Sequence, residues 1–166
     1  MAKKKSKSNS RKILGVLASI LGIVAVCMIF VDAIKVPDTK VLGTVVEGTG
    51  YTGLEVAFGF KEKDVSVFGF SFMALLPYLL IIGGIVFSLL NATSKKGNKV
   101  LDFVSAILFV VAGVLCFLMP GFVVCADTIL GKIAGAIEYE LAIGAIVSAI
   151  TSIVAGALVG FKAIKK

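Results

Sequence analysis

The sequence predicts an all-α membrane protein: a four-helix transmembrane bundle with a small extracytoplasmic antiparallel β-sheet from the first external loop. Four stretches carry no charged residue, and each holds the ~20 residues that a helix needs to cross ~30 Å of hydrocarbon. They are Ile13–Val31, Val65–Ser94, Phe103–Ala126 and Leu141–Phe161. Hydrophobic residues make up 58% of the 166-residue chain and charged residues only 16%, against about a quarter charged in soluble proteins. Basic residues, moreover, concentrate on one side of a four-span topology.

These features predict a single membrane domain over residues 1–166. A basic cytoplasmic tail (1–12) precedes four spans at about 13–33, 70–90, 101–119 and 139–161. External loops occupy 34–69 and 120–138, and a cytoplasmic loop occupies 91–100. Pro37 stops the first helix from continuing, whereas Pro77 and Gly83-Gly84 allow a kink and a close helix approach within span two.

The distribution of charge predicts that both termini are cytoplasmic. Twelve of the 17 basic residues fall in the tail, the 91–100 loop and the carboxyl end, whereas lysines and acids mix in the external loops. Retained lysine and arginine mark cytoplasmic segments. The predicted topology determinants are Lys3, Lys4, Lys5, Lys95, Lys96, Lys99, Lys165 and Lys166. The partner is then the lipid bilayer of the plasma membrane and not nucleic acid, because the basic tail has no aromatic residue to stack on bases.

The first external loop has the period-two pattern of strands. Leu54, Val56, Phe58 and Phe60 alternate with small or charged residues, which predicts a strand with these four side chains on its buried face. Val41–Val46 and Val65–Phe68 are the other two candidate strands. Because two or three strands are marginal alone in water, the sheet is expected to rest on the helix ends.

Charged residues at the span ends have local interpretations. Asp32 and Lys35 are predicted to form an ion pair one helical turn apart at the outer end of span one. Asp102 is expected to complement the helix dipole at the start of span three. In the second external loop, residues 122–126 are either a further strand or a helix extension, and the spacing of Ile129, Ile133 and Ile137 indicates a helical stripe.

Chemistry-bearing motifs are scarce, so we expect a non-enzymatic protein without cofactor or metal. The chain has no histidine, which removes the commonest general base and zinc ligand. It has no Cys-x-x-Cys motif and no phosphate-binding glycine loop. Cys27 and Cys116 are expected to be packing residues, and Cys125 to be either free or in an intermolecular disulfide.

The most regular pattern is a line of small residues in span four, one at every fourth position. Small residues at this spacing let helices approach closely and hydroxyl groups bond across the interface. The line predicts either internal packing of the bundle or a dimer or partner interface. Its members are Gly144, Ser148, Ser152, Gly156 and Gly160.

The layout resembles that of claudin-type tetraspan membrane proteins. Four spans, cytoplasmic termini, a strand-forming first external loop and a smaller second loop are shared, and Gly53-Leu54 lies where that family has its Gly-Leu-Trp motif, with Glu55 in place of tryptophan. The resemblance implies a left-handed four-helix bundle with an external sheet. Composition and short basic tails predict a small bacterial envelope protein.

Two functions follow as hypotheses. The first is a non-enzymatic protein that acts through lateral helix contacts and its external sheet, as a homo-oligomer or as an accessory subunit of an envelope complex with another membrane protein. The second is a small oligomeric channel or carrier whose mobile part is the helix with Pro77 and Gly83-Gly84.

Overall fold

The computed structural model describes residues 2–41, 44–46, 48–94 and 98–164. The helices are α1 (Ala2–Cys27), α2 (Gly53–Phe58), α3 (Phe72–Thr93), α4 (Lys99–Phe117), α5 (Ile129–Gly135) and α6 (Ile143–Ile164). Four segments of this described chain are long and apolar enough to cross a membrane, namely 12–30, 72–93, 99–117 and 143–164. They form a ring of antiparallel neighbours in the order α1, α3, α4, α6. The prediction of a bundle of four long apolar helices is therefore confirmed.

Short strands lie at one end of the bundle, here called the sheet end, and the opposite end is the terminal end. The strands are β1 (Asp32–Lys35), β2 (Thr39–Val41), β3 (Thr44–Val46), β4 (Gly50–Thr52), β5 (Phe60–Glu62), β6 (Val65–Phe68) and β7 (Glu140–Leu141). They make three small antiparallel sheets, β4-β1-β7, β2-β3 and β5-β6. Small antiparallel sheets are thus confirmed, but the expectation of one sheet from the first loop alone is wrong, because β7 of the second loop completes the first sheet.

The first span ends earlier than predicted. α1 stops at Cys27, a 3₁₀ turn covers Met28–Phe30, and Val31 is extended. The chain then becomes β1 instead of continuing as helix to residue 33, because this segment pairs with β4 on one side and β7 on the other. The predicted ion pair of Asp32 with Lys35 is also wrong, since the Lys35 ammonium lies 3.7 Å from the Glu140 carboxylate across the strands.

The segment predicted as the main strand is helical. Leu54, Val56 and Phe58 belong to α2, and only Phe60 begins a strand. The Thr52 hydroxyl accepts from the Glu55 N–H at 3.3 Å, and the Glu55 carboxylate accepts from the Thr52 N–H at 2.8 Å. This reciprocal capping box starts a helix and overrides the alternation. Val56 is consequently buried, whereas Leu54 and Phe58 are 40% and 57% exposed.

The second loop joins the first. Neither alternative for residues 122–126 is adopted in full, because Met119–Phe122 is a 3₁₀ turn and Cys125 then forms an isolated antiparallel bridge with Phe68. Thr128 caps α5 through its hydroxyl, which accepts from the Gly131 N–H at 3.0 Å. Ile129 and Ile133 lie on the exposed side of α5. The fourth span begins at Ile143 and not at 139, because Glu140–Leu141 pairs with β1.

The bundle core depends on close approach between α1, α3 and α4. Phe109 of α4 is fully buried. A Cβ on Gly84 of α3 would lie 3.1 Å from its ring, and one on Gly22 of α1 would lie 2.9 Å from it. Two glycines on neighbouring helices thus make room for one large side chain, which explains the close approach expected at Gly83-Gly84.

Candidate functional site: the buried Asp102–Lys162 pair

An ion pair is buried inside the terminal end of the bundle. The Lys162 ammonium donates to the Asp102 carboxylate at 2.7 Å, and the two side chains are 4% and 2% exposed. Removing such charges from water costs several kcal/mol per ion, a cost that mutual attraction offsets only when the geometry is good. Ionisable residues inside membrane spans are rare and usually functional, so this pair is the strongest candidate site.

Helix ends position both partners. Asn98 caps α4, its side-chain oxygen accepting from the Val100 N–H at 3.0 Å, and Asp102 follows in the first turn. Lys162 lies in the last turn of α6. A carboxylate favours the positive amino end of a helix and an ammonium the negative carboxyl end. Because α4 and α6 are antiparallel neighbours, these two favourable positions face each other.

The other two helices close the site. A Cβ on Gly15 of α1 would lie 3.0 Å from the Lys162 ammonium and 3.3 Å from the Ala92 Cβ of α3. The Gly15 carbonyl accepts from the hydroxyls of Ser19 at 2.9 Å and Ser88 of α3 at 3.1 Å. All four spans therefore meet around one buried charge pair.

The start of α4 is held by α3 beside this pair. The Asn91 side chain is 3% exposed. Its amide donates to the Asn98 carbonyl at 2.7 Å, and its oxygen accepts from the Asn98 N–H. The residue that caps α4 is thus itself held by α3, which fixes the start of the helix that carries Asp102.

Hydroxyl groups connect the helices further along the bundle. Ser105 donates to the Gly84 carbonyl at 2.7 Å, joining α4 to α3. Ser148 donates to the Ala25 carbonyl at 3.0 Å and lies 3.5 Å from the Cys116 sulfur, joining α6 to α1 and α4. Such bonds between spans are worth about 1 kcal/mol each, so they align the helices more than they stabilise them.

The small-residue line of α6 lies mostly inside the bundle. Gly144, Ser148, Ser152 and Gly156 are buried. A Cβ on Gly144 would come within 2.8 Å of the Val31 carbonyl oxygen, and one on Gly156 within 3.0 Å of the Ala106 carbonyl oxygen. Gly160 is less tightly packed, since a Cβ there would meet only the Ala106 Cβ at 3.8 Å.

The predicted topology lysines are only partly described. Lys99 is exposed at the start of α4. The backbone at residues 3–5 is part of α1, whereas Lys95, Lys96, Lys165 and Lys166 lie outside the described residues. Lys162 was grouped with the basic carboxyl end by sequence, yet its side chain is inside the bundle.

The sequence contained a signal for the pair. Asp102 precedes Ser105, Ala106 and Phe109 by three, four and seven positions, and all four residues are buried. Lys162 continues the α6 stripe of Ala155 and Val159. This periodicity places Asp102 and Lys162 on the core faces of their helices.

A second cluster forms the core of the sheet end. Tyr51, Phe60, Phe68 and Tyr139 contact one another ring to ring, with centroids 4.8 to 6.5 Å apart. Burial raises the pKa of Tyr139 to about 12, and the nearby Cys125 and Tyr51 add to the shift. Desolvation likewise raises the pKa of Cys125. The thiol is therefore protonated and weakly nucleophilic at neutral pH.

No protein-family model, curated protein or solved structure matches this chain. Function is therefore inferred from the contacts of its own residues. Chemically, the Asp102–Lys162 pair fixes four helices in one arrangement. The described residues include no group of three His, Cys, Asp or Glu side chains placed to hold a metal ion.

Proposed function

We propose that this chain is a non-enzymatic tetraspan protein of the plasma membrane that acts through lateral contacts and its extracytoplasmic layer. It would work as a homo-oligomer or as an accessory subunit of an envelope complex. The excess of basic residues at the terminal end supports a cytoplasmic location for both termini. The small bacterial envelope protein indicated by composition is part of the same proposal.

The observation that carries this proposal is the exposed apolar surface of a layer built from both loops. Ile129 and Ile133, one turn apart on α5, are 81% and 57% exposed, and Phe58 of α2 is 57% exposed. Large exposed apolar side chains that adjoin one another, as the two isoleucines do on α5, are typical of protein or membrane contact sites. Surfaces of this type on an otherwise well-packed layer favour a contact function.

Both loops hold that layer rigidly. Ile34 of β1 pairs with Leu141 of β7. The Gly69 N–H donates to the Val124 carbonyl at 2.8 Å, and the Ala126 N–H donates to the Val67 carbonyl at 3.0 Å. Because a rigid surface loses little entropy on binding, this arrangement suits recognition of a partner.

Photocrosslinking in intact cells tests the proposal. A photoreactive residue at Ile129 is expected to capture one defined species, either a second copy at doubled mass or one partner. The same probe at Lys61, exposed in β5, is the control and should capture neither. The Ile129→Asp/Ile133→Asp variant should lose this species from mild-detergent extracts while its helical circular dichroism is unchanged. Identical extracts from wild type and variant, with no crosslink from Ile129 or Phe58, would contradict the proposal.

A channel or carrier is the alternative, and the buried Asp102–Lys162 pair is the observation that favours it. Buried charges within spans often line ion or proton pathways. Purified protein in liposomes would then conduct a solute or ion, and Asp102→Asn and Pro77→Ala would each reduce the flux. Equal leakage from protein-containing and empty liposomes would remove this alternative.

A further inference from the structure

A groove opens on the outer side of the α4–α6 contact. Its volume is about 360 Å³, and its walls include Ala106, Val110, Gly156 and Gly160. Gly160 contributes to the groove because it has no side chain, the nearest heavy atom of another helix to its missing Cβ being the Ala106 Cβ at 3.8 Å. All lining side chains are apolar or absent, so an occupant must present hydrocarbon.

The groove extends over only part of the bundle. On α4 the lining runs from Ala106 to Val111, a rise of about 8 Å at ~1.5 Å per residue, and Lys99 lies about 10 Å further toward the terminal end. Toward the sheet end the α4–α6 contact has no room for a further occupant, because a Cβ on Gly113 would lie 2.9 Å from the Ala149 carbonyl oxygen. A transmembrane helix needs a seam along ~30 Å, whereas an acyl chain of one leaflet occupies about half of that depth.

The stretch of α4 between the groove and the terminal end, here called the mouth, carries a lysine. Lys99, exposed, lies on the α4 stripe that continues through Phe103 to Ala106 and Val110, at spacings of four, three and four. The first N–H groups of α4 add the positive end of its dipole. The sole acid in the chain's terminal-end segments is Asp102, which already pairs with Lys162. Positive charge at this mouth is therefore not neutralised by that carboxylate.

We infer that the groove binds one acyl chain of an anionic phospholipid in the leaflet at the terminal end, with the headgroup phosphate near Lys99. Charge also distinguishes this occupant from a second copy of the chain. Two copies packed in parallel through this groove would bring their basic ends together, and like charges repel. An anionic lipid supplies both the hydrocarbon and the neutralising charge. This inference rests on the membrane location in the proposed function but is independent of any protein partner.

Native mass spectrometry of the purified full chain tests the inference with two probes, dioleoylphosphatidylglycerol and dioleoylphosphatidylcholine. Wild type is expected to retain one phosphatidylglycerol in preference to phosphatidylcholine by about fivefold, since one basic residue near the headgroup is worth ~1 kcal/mol. Lys99→Gln should abolish this preference. Lys61→Gln, which removes a lysine at the sheet end, is the matched control and should preserve it.

Filling the groove tests the acyl site separately. Gly160→Leu should lose the retained lipid, whereas Val154→Leu, on the exposed side of α6 outside the groove, should keep it. Gly160→Ala adds only the methyl group for which space exists, and provides a folded variant if the leucine destabilises the bundle; it should bind phosphatidylglycerol more weakly than wild type. Equal retention of both lipids by wild type would overturn the inference. So would a wild-type dimer that Gly160→Leu dissociates, because a second copy would then occupy the groove. Failure of the photocrosslinking at Ile129 would leave this result unaffected.

Discussion

Lys162 and Asp102, 2.7 Å apart, join the last turn of α6 to the first turn of α4 while Gly15 of α1 lies against the ammonium. The pair is neutral as a unit and costly when divided, because each charge is stabilised inside the bundle chiefly by the other. Its contribution is therefore measured best by removing one partner and then both.

Asp102→Ala should destabilise the detergent-solubilised protein by about 3–5 kcal/mol, because it leaves the Lys162 ammonium buried without its partner. The Asp102→Leu/Lys162→Met variant should recover most of this loss, since apolar residues of similar volume replace a buried pair at little cost. Thermal unfolding followed by circular dichroism measures both. Equal destabilisation in the single and double variants would show that the lost contact is not electrostatic.

Gly156→Leu should lower stability by about 1–3 kcal/mol, because the new side chain would enter the space of Val110 and the Ala106 carbonyl. Val154→Leu, 44% exposed before substitution, should change it little. Thermal unfolding of the monomer compares the two. If Gly156→Leu instead leaves the monomer stable and abolishes a crosslinked dimer, the small-residue line serves an interface between copies.

The α2 helix provides a paired test at neighbouring positions. Val56→Asp should be strongly destabilising because it buries an unpaired charge, whereas Leu54→Asp should be mild since Leu54 is 40% exposed. Thr52→Ala should cost about 1 kcal/mol through loss of the helix cap. Unfolding temperatures of the three variants rank these effects. Similar losses at Leu54 and Val56 would argue for a strand that buries both.

Alkaline pH should unfold the sheet end. The folded-state pKa of Tyr139 is raised from 10.0 to about 12, so the unfolded chain releases its proton first and stability falls between about pH 10 and 12. Tyr139→Phe should start less stable at pH 8, because the hydroxyl no longer donates to the Ala134 carbonyl. Its unfolding temperature should then fall less than that of wild type between pH 8 and 11. Parallel losses in the two proteins would mean that Tyr139 does not titrate in this range.

Thiol labelling tests the topology. In a background with Cys27→Ala and Cys125→Ser, a cysteine at position 49 or 132 should react with an impermeant reagent in intact cells, and one at position 97 should not. The positive-inside bias is the physical reason. Permeabilised cells, in which all three positions should react, provide the control. Labelling at position 97 with protection at position 49 would reverse the orientation.

The spans were predictable because each is a long apolar segment, and their number depends on no distant contact. Boundaries at the sheet end were not predictable in the same way. Residues 32–35 form a strand because β4 and β7 pair with them. Pairing with a segment near the carboxyl end produces no signal in the local sequence. The Thr52-x-x-Glu55 capping box, in contrast, is a local sequence signal, and in the structure it prevails over the alternation that follows it.

The candidate site was likewise predictable from the sequence only in part. Small residues in span four are local and periodic, so their positions on one helix line could be recognised. The Asp102–Lys162 contact combines one charge from the start of α4 with one from the end of α6, and each taken alone is an ordinary residue for its helix end. Only the antiparallel adjacency of the two helices brings the charges together.

The pairing of β1 with β7 can be completed only late in the synthesis of the chain. The β1 strand is synthesised directly after the first span, whereas its neighbour β7 is synthesised only just before the fourth span. Until the ribosome has passed β7, one edge of β1 presents unpaired backbone groups, a known route to misassembly. A nascent or truncated chain lacking the fourth span would therefore display an open strand edge beside the membrane. Such an edge is a feature by which cellular quality control could distinguish an unfinished molecule from a finished one.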